Sequence, residues 1–227
     1  MSKPFIKIEK LNKQFETSNS TIQVLKDINL NLDSGKIIAI TGPSGSGKST
    51  LLHIIALLDK PTAGEVFFNK KSFSKSNDVE KDSIRKSKIS IIYQQNNLLN
   101  DFNAIENVSI PLVNNGFSWN ESIKKAKKIL SLVNLSKRIY HYPSELSGGE
   151  QQRVAVARAM VTEPELILAD EPTGSLDRKT AIEIFSLFLK IKSKNRAIVY
   201  ATHNRELSNK ADYKLNILDG NIKKKNE

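Results

Sequence analysis

Residues 37–50 read IIAITGPSGSGKST, a short apolar run that turns through a glycine-rich segment into Lys-Ser-Thr and on into the apolar stretch LLHIIALL at 51–58. Strand, glycine turn and helix in that order are the context a phosphate-binding loop requires. Gly42, Gly45 and Gly47 permit backbone dihedrals that other residues resist, so in the loop Gly42, Pro43, Ser44, Gly45, Ser46 and Gly47 the successive N–H groups, which all but Pro43 carry, can point inward at phosphate oxygens. The N-terminus of the following helix adds its positive end. Lys48 brings a compact charge to the β- and γ-phosphates, the Ser49 hydroxyl suits Mg²⁺, and Thr50 can donate to the α-phosphate region. With glycine near 7% of residues, the bare pattern arises by chance in roughly one chain per hundred of this size, and the flanking strand and helix make it rarer. The ligand these residues point to is ATP with Mg²⁺.

Farther along, LILADEP at 166–172 is a buried-type apolar run ending in two adjacent carboxylates. In isolation this reads equally well as a solvated strand end or as a functional pair. Beside a phosphate-binding loop, Asp170 is placed to hold the Mg²⁺ shell, and Glu171 is left free to polarise an attacking water. Phosphoryl transfer needs mainly positioning and charge neutralisation, so Glu171 is a better catalytic base than any histidine. His203, just past the run AIVYAT at 197–202, stands where a γ-phosphate contact is plausible; His53 and His141 read as packing residues.

Around these motifs the chain reads as one α/β domain. Short β-type runs occur at 5–9, 28–32, 37–41, 66–68 and 89–93, and the continuous apolar runs at 166–170 and 197–202 suit parallel strands buried on both faces. Between the last two, AIEIFSLFLKIK has amphipathic helix spacing, giving a strand, helix, strand unit with a right-handed crossover. Residues 104–162 show helical periodicity and no strand, which predicts an inserted helical subdomain at about 95–162 between nucleotide-binding core segments 1–94 and 163–227. Residues 70–88 read as a polar surface excursion, and KLNILDGNIKKK as a final hairpin turning at Asp219 and Gly220, with too little chain after it for a further domain.

The 227 residues, with 39% hydrophobic and 26% charged, have an ordinary globular balance. No run approaches the roughly 20 apolar residues that cross a bilayer, and MSKPFIKIEK lacks the apolar stretch of a signal peptide. The absence of cysteine excludes disulfides and thiolate chemistry. The formal charge of +11 invites a nucleic-acid reading, but the lysines are spread along the chain, with runs at Lys124, Lys125, Lys127, Lys128 and Lys223, Lys224, Lys225 that aromatic residues rarely interrupt. A solvated basic surface is the better reading, and no nucleic-acid partner is expected.

Residues 146–150 read LSGGE and lead into the helical QQRVAVARAM. With the phosphate-binding loop, Gln94 after ISIIY, the acidic strand end, SLD at 175–177 and His203, they stand in the order seen in the ATP-binding subunits of ABC transporters, which this chain resembles over essentially its whole length. The resemblance implies a P-loop NTPase of ABC type, with a mainly parallel central sheet, an N-terminal antiparallel β part and the helical insertion. It implies a head-to-tail pair of copies in which Ser147, Gly148 and Gly149 of one close on the γ-phosphate held by the other. A hydroxyl, exposed N–H groups and a helix N-terminus agree with such an anion site. By the same resemblance Gln94 senses Mg²⁺ and the attacking water, Asp177 communicates across the dimer, and Phe15 stacks on adenine.

Within the family, residues 93–112 and 142–159 are most similar to the ATPase of the Lol lipoprotein-releasing complex, with macrolide-exporter and cell-division relatives close behind. The implied role is an ATPase at the cytoplasmic face of the inner membrane, driving separate integral-membrane permease subunits. Asn96, Asn97 and Ser175 depart from the Lol pattern, in which histidines follow the glutamine and Asn precedes Leu-Asp. A soluble ABC ATPase on DNA or ribosomes is disfavoured, because no long heptad arms separate the phosphate loop from LSGGE and there is one cassette, not two.

Overall fold

The computed structural model describes residues 5–18, 20–73 and 76–225. Part of the polar excursion at 70–88, and the side chains of Lys224 and Lys225, lie outside the described residues. The chain runs β1 (Ile6–Thr17), β2 (Ser20–Leu32), β3 (Ile37–Thr41), α1 (Lys48–Ile55), β4 (Ala63–Phe68), β5 (Lys71–Ser72), α2 (Asp78–Lys88) and β6 (Ile89–Ile92). It continues through α3 (Ala104–Asn114), α4 (Trp119–Leu132), α5 (Gly148–Met160), β7 (Leu166–Asp170), α6 (Arg178–Ile191), β8 (Ala197–Ala201), α7 (Arg205–Ser208), β9 (Tyr213–Leu218) and β10 (Asn221–Lys225).

The strands form a six-stranded sheet in the order β10-β9-β3-β8-β7-β6, parallel except at β10, and a four-stranded antiparallel sheet, β2-β1-β4-β5. Pleat alternation divides the interior in two. Ile37, Ala39, Ile167, Ala169, Ile198 and Tyr200 face the core built with α3, α4, α5 and α6. Ile38, Ile40, Leu166, Leu168, Ala197 and Val199 face the core that α1 shares with the antiparallel sheet. The central strands are thus apolar on both faces, which is why they read as continuous runs rather than alternating ones.

The terminal hairpin turns where its sequence requires, with Asp219 and Gly220 at φ 51 and 78. The N-terminal strands extend well beyond the runs at 5–9 and 28–32, because β1 pairs with β2 on one edge and β4 on the other through shifts in register. The polar stretch 70–88 is exposed as expected, yet 78–88 is a helix, capped by the Asn77 side chain on Glu80 N, with Lys81 its one buried residue.

Inside the helical region, Asn107 is fully buried and ties down the loop before α3. Its carboxamide accepts from Leu99 N at 2.9 Å and donates to the carbonyls of Leu99, Phe102 and Asn103 at 3.0, 2.7 and 3.1 Å. Asn107→Ala leaves those part-buried groups without their partner and is expected to lower stability by about 2 kcal/mol. Urea denaturation checks this as a lower midpoint at unchanged slope.

Candidate functional site

Strands β3, β8 and β7 are neighbours and parallel, so their C-terminal ends lie together on one edge of the sheet. That edge brings residues 42–50, Thr202 with His203, and Asp170 with Glu171 to one place, the usual ligand position in an open α/β sheet.

Backbone conformation in the glycine loop is demanding. Gly42 has φ 153, and a Cβ there would stand 2.3 Å from the Ile217 carbonyl oxygen and 2.7 Å from Ser46 Oγ. Gly47 is the N-cap of α1 at φ 100 and supplies no side-chain cap. The six other α-helices are all capped, by Asn77, Asn103, Ser118, Ser147, Asp177 and Asn204. No N-cap side chain takes the N–H groups in the first turn of α1, the condition an anion-binding helix end requires. Lys48 is buried, and its Nζ donates to the carbonyls of Gly42 and Pro43 at 3.1 and 3.0 Å, an ammonium held inside the loop. Ser46 Oγ is buried without a hydrogen-bond partner among the described residues.

At the end of β7, Asp170 Oδ1 is likewise buried and unpartnered among the described residues, an orphan acceptor aimed where a cation would relieve it. No group of three or more His, Cys, Asp and Glu suited to a metal occurs among the described residues. The Asp170 carboxylate and the Ser49 hydroxyl, at the same edge of the sheet, are a donor set that fits Mg²⁺, which keeps waters and substrate oxygens and needs few protein ligands. Glu171 occupies the left-handed region at φ 47, strained for a non-glycine residue. It is fixed by Glu171 N donating to Ala201 O at 3.1 Å and by Gly174 N donating to Glu171 O at 3.0 Å. His203 Nδ1 lies 3.0 Å from Glu171 Oε2. The loop thus twists the carboxylate toward the end of β8.

Gln94 meets this same loop. A Cβ added to Gly174 would be 2.9 Å from Gln94 Nε2, so the glycine leaves room for the amide. Gly174→Ala is expected to displace the end of that side chain and lower kcat about fivefold with little change in melting temperature, read from steady-state phosphate release and calorimetry.

Ser147, Gly148 and Gly149 open α5 and line a cavity of about 500 Å³ with Glu150, Arg153, Asp177 and Thr180, among others. No residue of the glycine loop lines it. Apart from Phe15 on β1, the site residues read from the sequence therefore fall into two groups on one chain, the sheet edge and the α5 face. Asp177 caps α6, accepting from Thr180 N at 3.1 Å and Thr180 Oγ1 at 2.5 Å, bonds that hold its carboxyl below the ordinary range. A Cβ on Gly149 would stand 2.6 Å from Thr180 Cγ2, which makes that glycine a packing necessity.

The glutamine segment is tied to α5 by residues that no motif announces. Arg158 donates to the carbonyls of Asn97 and Asn96 at 2.8 and 2.9 Å, and Asn96 Nδ2 donates to Gln151 Oε1 at 3.2 Å. Gln151 Nε2 in turn donates to the carbonyls of Pro143 and Leu146 at 2.9 and 3.1 Å, immediately before Ser147.

Phe15 is 42% exposed on β1, with Lys13 Nζ 4.7 Å from its ring centroid. Lys13 is itself held by Asp59 Oδ1 at 2.7 Å and the Lys60 carbonyl at 2.9 Å, so one end of the ring is braced against the chain beyond α1. His53 packs edge-on to Tyr93. His141 is not packed between its tyrosine neighbours, which are exposed; its Nε2 lies 3.0 Å from Arg138 Nη1.

The sequence profile of the ABC transporter family matches residues 25–174. The lipoprotein-releasing system ATP-binding protein LolD of Rickettsia bellii is 51% identical over 218 residues, spanning 95% of this chain and 96% of that protein. The protein of the same name from Acinetobacter baylyi is 44% identical, with 97% of each covered. A post-hydrolysis dimer of the ATP-binding cassette MJ0796, bound to ADP and Pi, superposes with a TM-score of 0.90 at 38% identity, covering 97% of each chain. A second dimeric structure of that cassette gives a TM-score of 0.89 at 39% identity. With the glycine loop, the acidic strand end and the LSGGE helix arranged on this fold, the chain belongs to the ABC transporter family as one of its ATP-binding, ATP-hydrolysing subunits.

Proposed function

We propose that this chain binds ATP with Mg²⁺ between two copies of itself, hydrolyses it, and drives a separate integral-membrane permease that releases lipoproteins from the inner membrane toward the outer membrane. The observation carrying this reading is 51% identity over nearly the full length to a lipoprotein-releasing ATP-binding protein. The division of donors into two groups on one chain supports the paired arrangement. No helix among the described residues is long and apolar enough to cross a membrane. The subunit then sits peripherally at the cytoplasmic face of the inner membrane.

In this reading residues 1–94 and 163–227 form the nucleotide-binding core and about 95–162 the helical subdomain that contacts the permease. The glycine loop and the N-terminus of α1 bind the phosphates, and Lys48 exchanges its contacts with the Gly42 and Pro43 carbonyls for phosphate oxygens. Ser49, Asp170 and Gln94 would hold Mg²⁺, which when bound neutralises charge developing on the phosphates. Glu171 accepts the proton of the attacking water, His203 fixes the carboxylate and reaches the γ-phosphate, and Phe15 stacks on adenine. Ser147, Gly148 and Gly149 of the second copy close the site while Asp177 signals across it. ATP drives closure by its differential affinity for the closed pair.

Affinity capture of tagged Glu171→Gln protein from detergent-solubilised native membranes with Mg-ATP tests the transport role. Integral-membrane permease chains, with bound lipoproteins, are the expected companions. Ribosomes or DNA-bound factors without any membrane protein would overturn it.

A further inference from the structure

At the N-terminus of α5 the donors that open the cavity are already engaged. Ser147 N and Ser147 Oγ both donate to the same Glu150 oxygen at 2.9 Å, and Glu150 N donates back to Ser147 Oγ at 3.3 Å. The other carboxylate oxygen accepts from Arg138 Nε at 3.1 Å. A Ser and Glu in this spacing form an ordinary capping box. The same box recurs at Ser118 and Glu121 of α4, where Ser118 Oγ donates to Glu121 Oε2 at 2.6 Å. There the carboxylate has no ion-pair partner closer than 4 Å among the described residues. The α5 box differs in having an arginine on its carboxylate and in facing a cavity.

Resting on the paired-copy reading above, we propose that Glu150 is an internal occupant of the Ser147 anion site and that Arg138 restrains its charge, so that this pair sets how tightly one copy closes on the nucleotide held by the other. Ser147 has one hydroxyl proton and one amide proton, and both are given to Glu150. Neither serves a phosphate oxygen until the carboxylate withdraws, and Arg138 is the group onto which it withdraws. What singles this carboxylate out is its place on the Ser147 donors themselves. Of the other acidic groups lining the cavity, Glu183 is paired with Arg153, and Asp177 keeps its charge but spends its oxygens on Thr180 as the cap of α6. A negative charge close to an incoming polyanion opposes closure, and an arginine on that charge offsets the repulsion.

The test is the dimerisation constant with saturating Mg-ATP, measured by light scattering over a concentration series in the Glu171→Gln background. Glu150→Gln keeps an acceptor for the capping box and removes the charge, and it is expected to tighten dimerisation about tenfold. Arg138→Gln leaves the carboxylate uncompensated and is expected to weaken it about fivefold, an effect that vanishes when Glu150→Gln is also present. Glu121→Gln, at the matching box on α4, is the control and leaves the constant unchanged. A capping role alone predicts no tightening by Glu150→Gln and no cancellation in the double variant, and either result overturns the inference. If the Glu171→Gln parent stays monomeric with Mg-ATP, the paired-copy reading itself fails, a result distinct from a dimer that ignores Glu150.

Discussion

Glu171→Gln is expected to bind Mg-ATP with affinity close to that of the unmodified chain while phosphate release falls about 10³-fold, the loss of a general base. The side chain stands 3.0 Å from His203 Nδ1, on a residue held at φ 47 by two backbone hydrogen bonds. The amide preserves volume and the contact with His203 but accepts no proton from water. Binding is governed elsewhere, at the glycine loop and α1, so the substitution separates affinity from turnover. Fluorescent-nucleotide titration and phosphate release measured on the same sample check both halves. Retained hydrolysis would move the base to another residue, with the strain at Glu171 left to explain as a feature of the fold.

Lys48→Ala is expected to weaken ATP binding by about 100-fold or more, the cost of removing one member of a desolvated charge pair. The buried Nζ is placed by two loop carbonyls before any phosphate arrives, so little ordering remains when nucleotide binds. Arginine does not restore the function, because a planar fork cannot replace a compact ammonium in a loop of this size. Thermal unfolding with and without Mg-ATP reports it: the unmodified chain gains melting temperature and the variant gains almost none. Equal gains would show that the backbone N–H groups alone hold the phosphates.

The glycine loop, the acidic strand end and the parallel strands were legible because each is a contiguous stretch with its own chemistry. Strand–turn–helix around residues 37–58 needs no distant partner to be recognised. The terminal hairpin was equally plain, since Asp219 and Gly220 both take the positive φ the turn requires. What stayed hidden depends on neighbours far along the chain. Gly174 matters because Gln94, eighty positions earlier, lies against it, and Arg158 because its bonds fall on carbonyls at 96 and 97. Neither residue type announces such a role. Asn96, a departure from the expected pattern, has an account only in the fold, where its amide meets Gln151. The helix at 78–88 was masked by polarity, because it buries one residue and offers no apolar stripe to read. His141, read as a packing residue, proved to be a polar partner of Arg138, since adjacent tyrosines in sequence point to solvent.

Among the described α-helices, α1 alone lacks a side-chain cap, its first turn opening from Gly47. A helix whose cap is a ligand frays when the ligand leaves. Amide exchange at residues 47–50 is thus expected to be faster in the nucleotide-free chain than with Mg-ATP bound. Limited proteolysis at this helix end is expected to slow when Mg-ATP is bound, and equal cleavage rates with and without nucleotide would show that the first turn holds without a ligand.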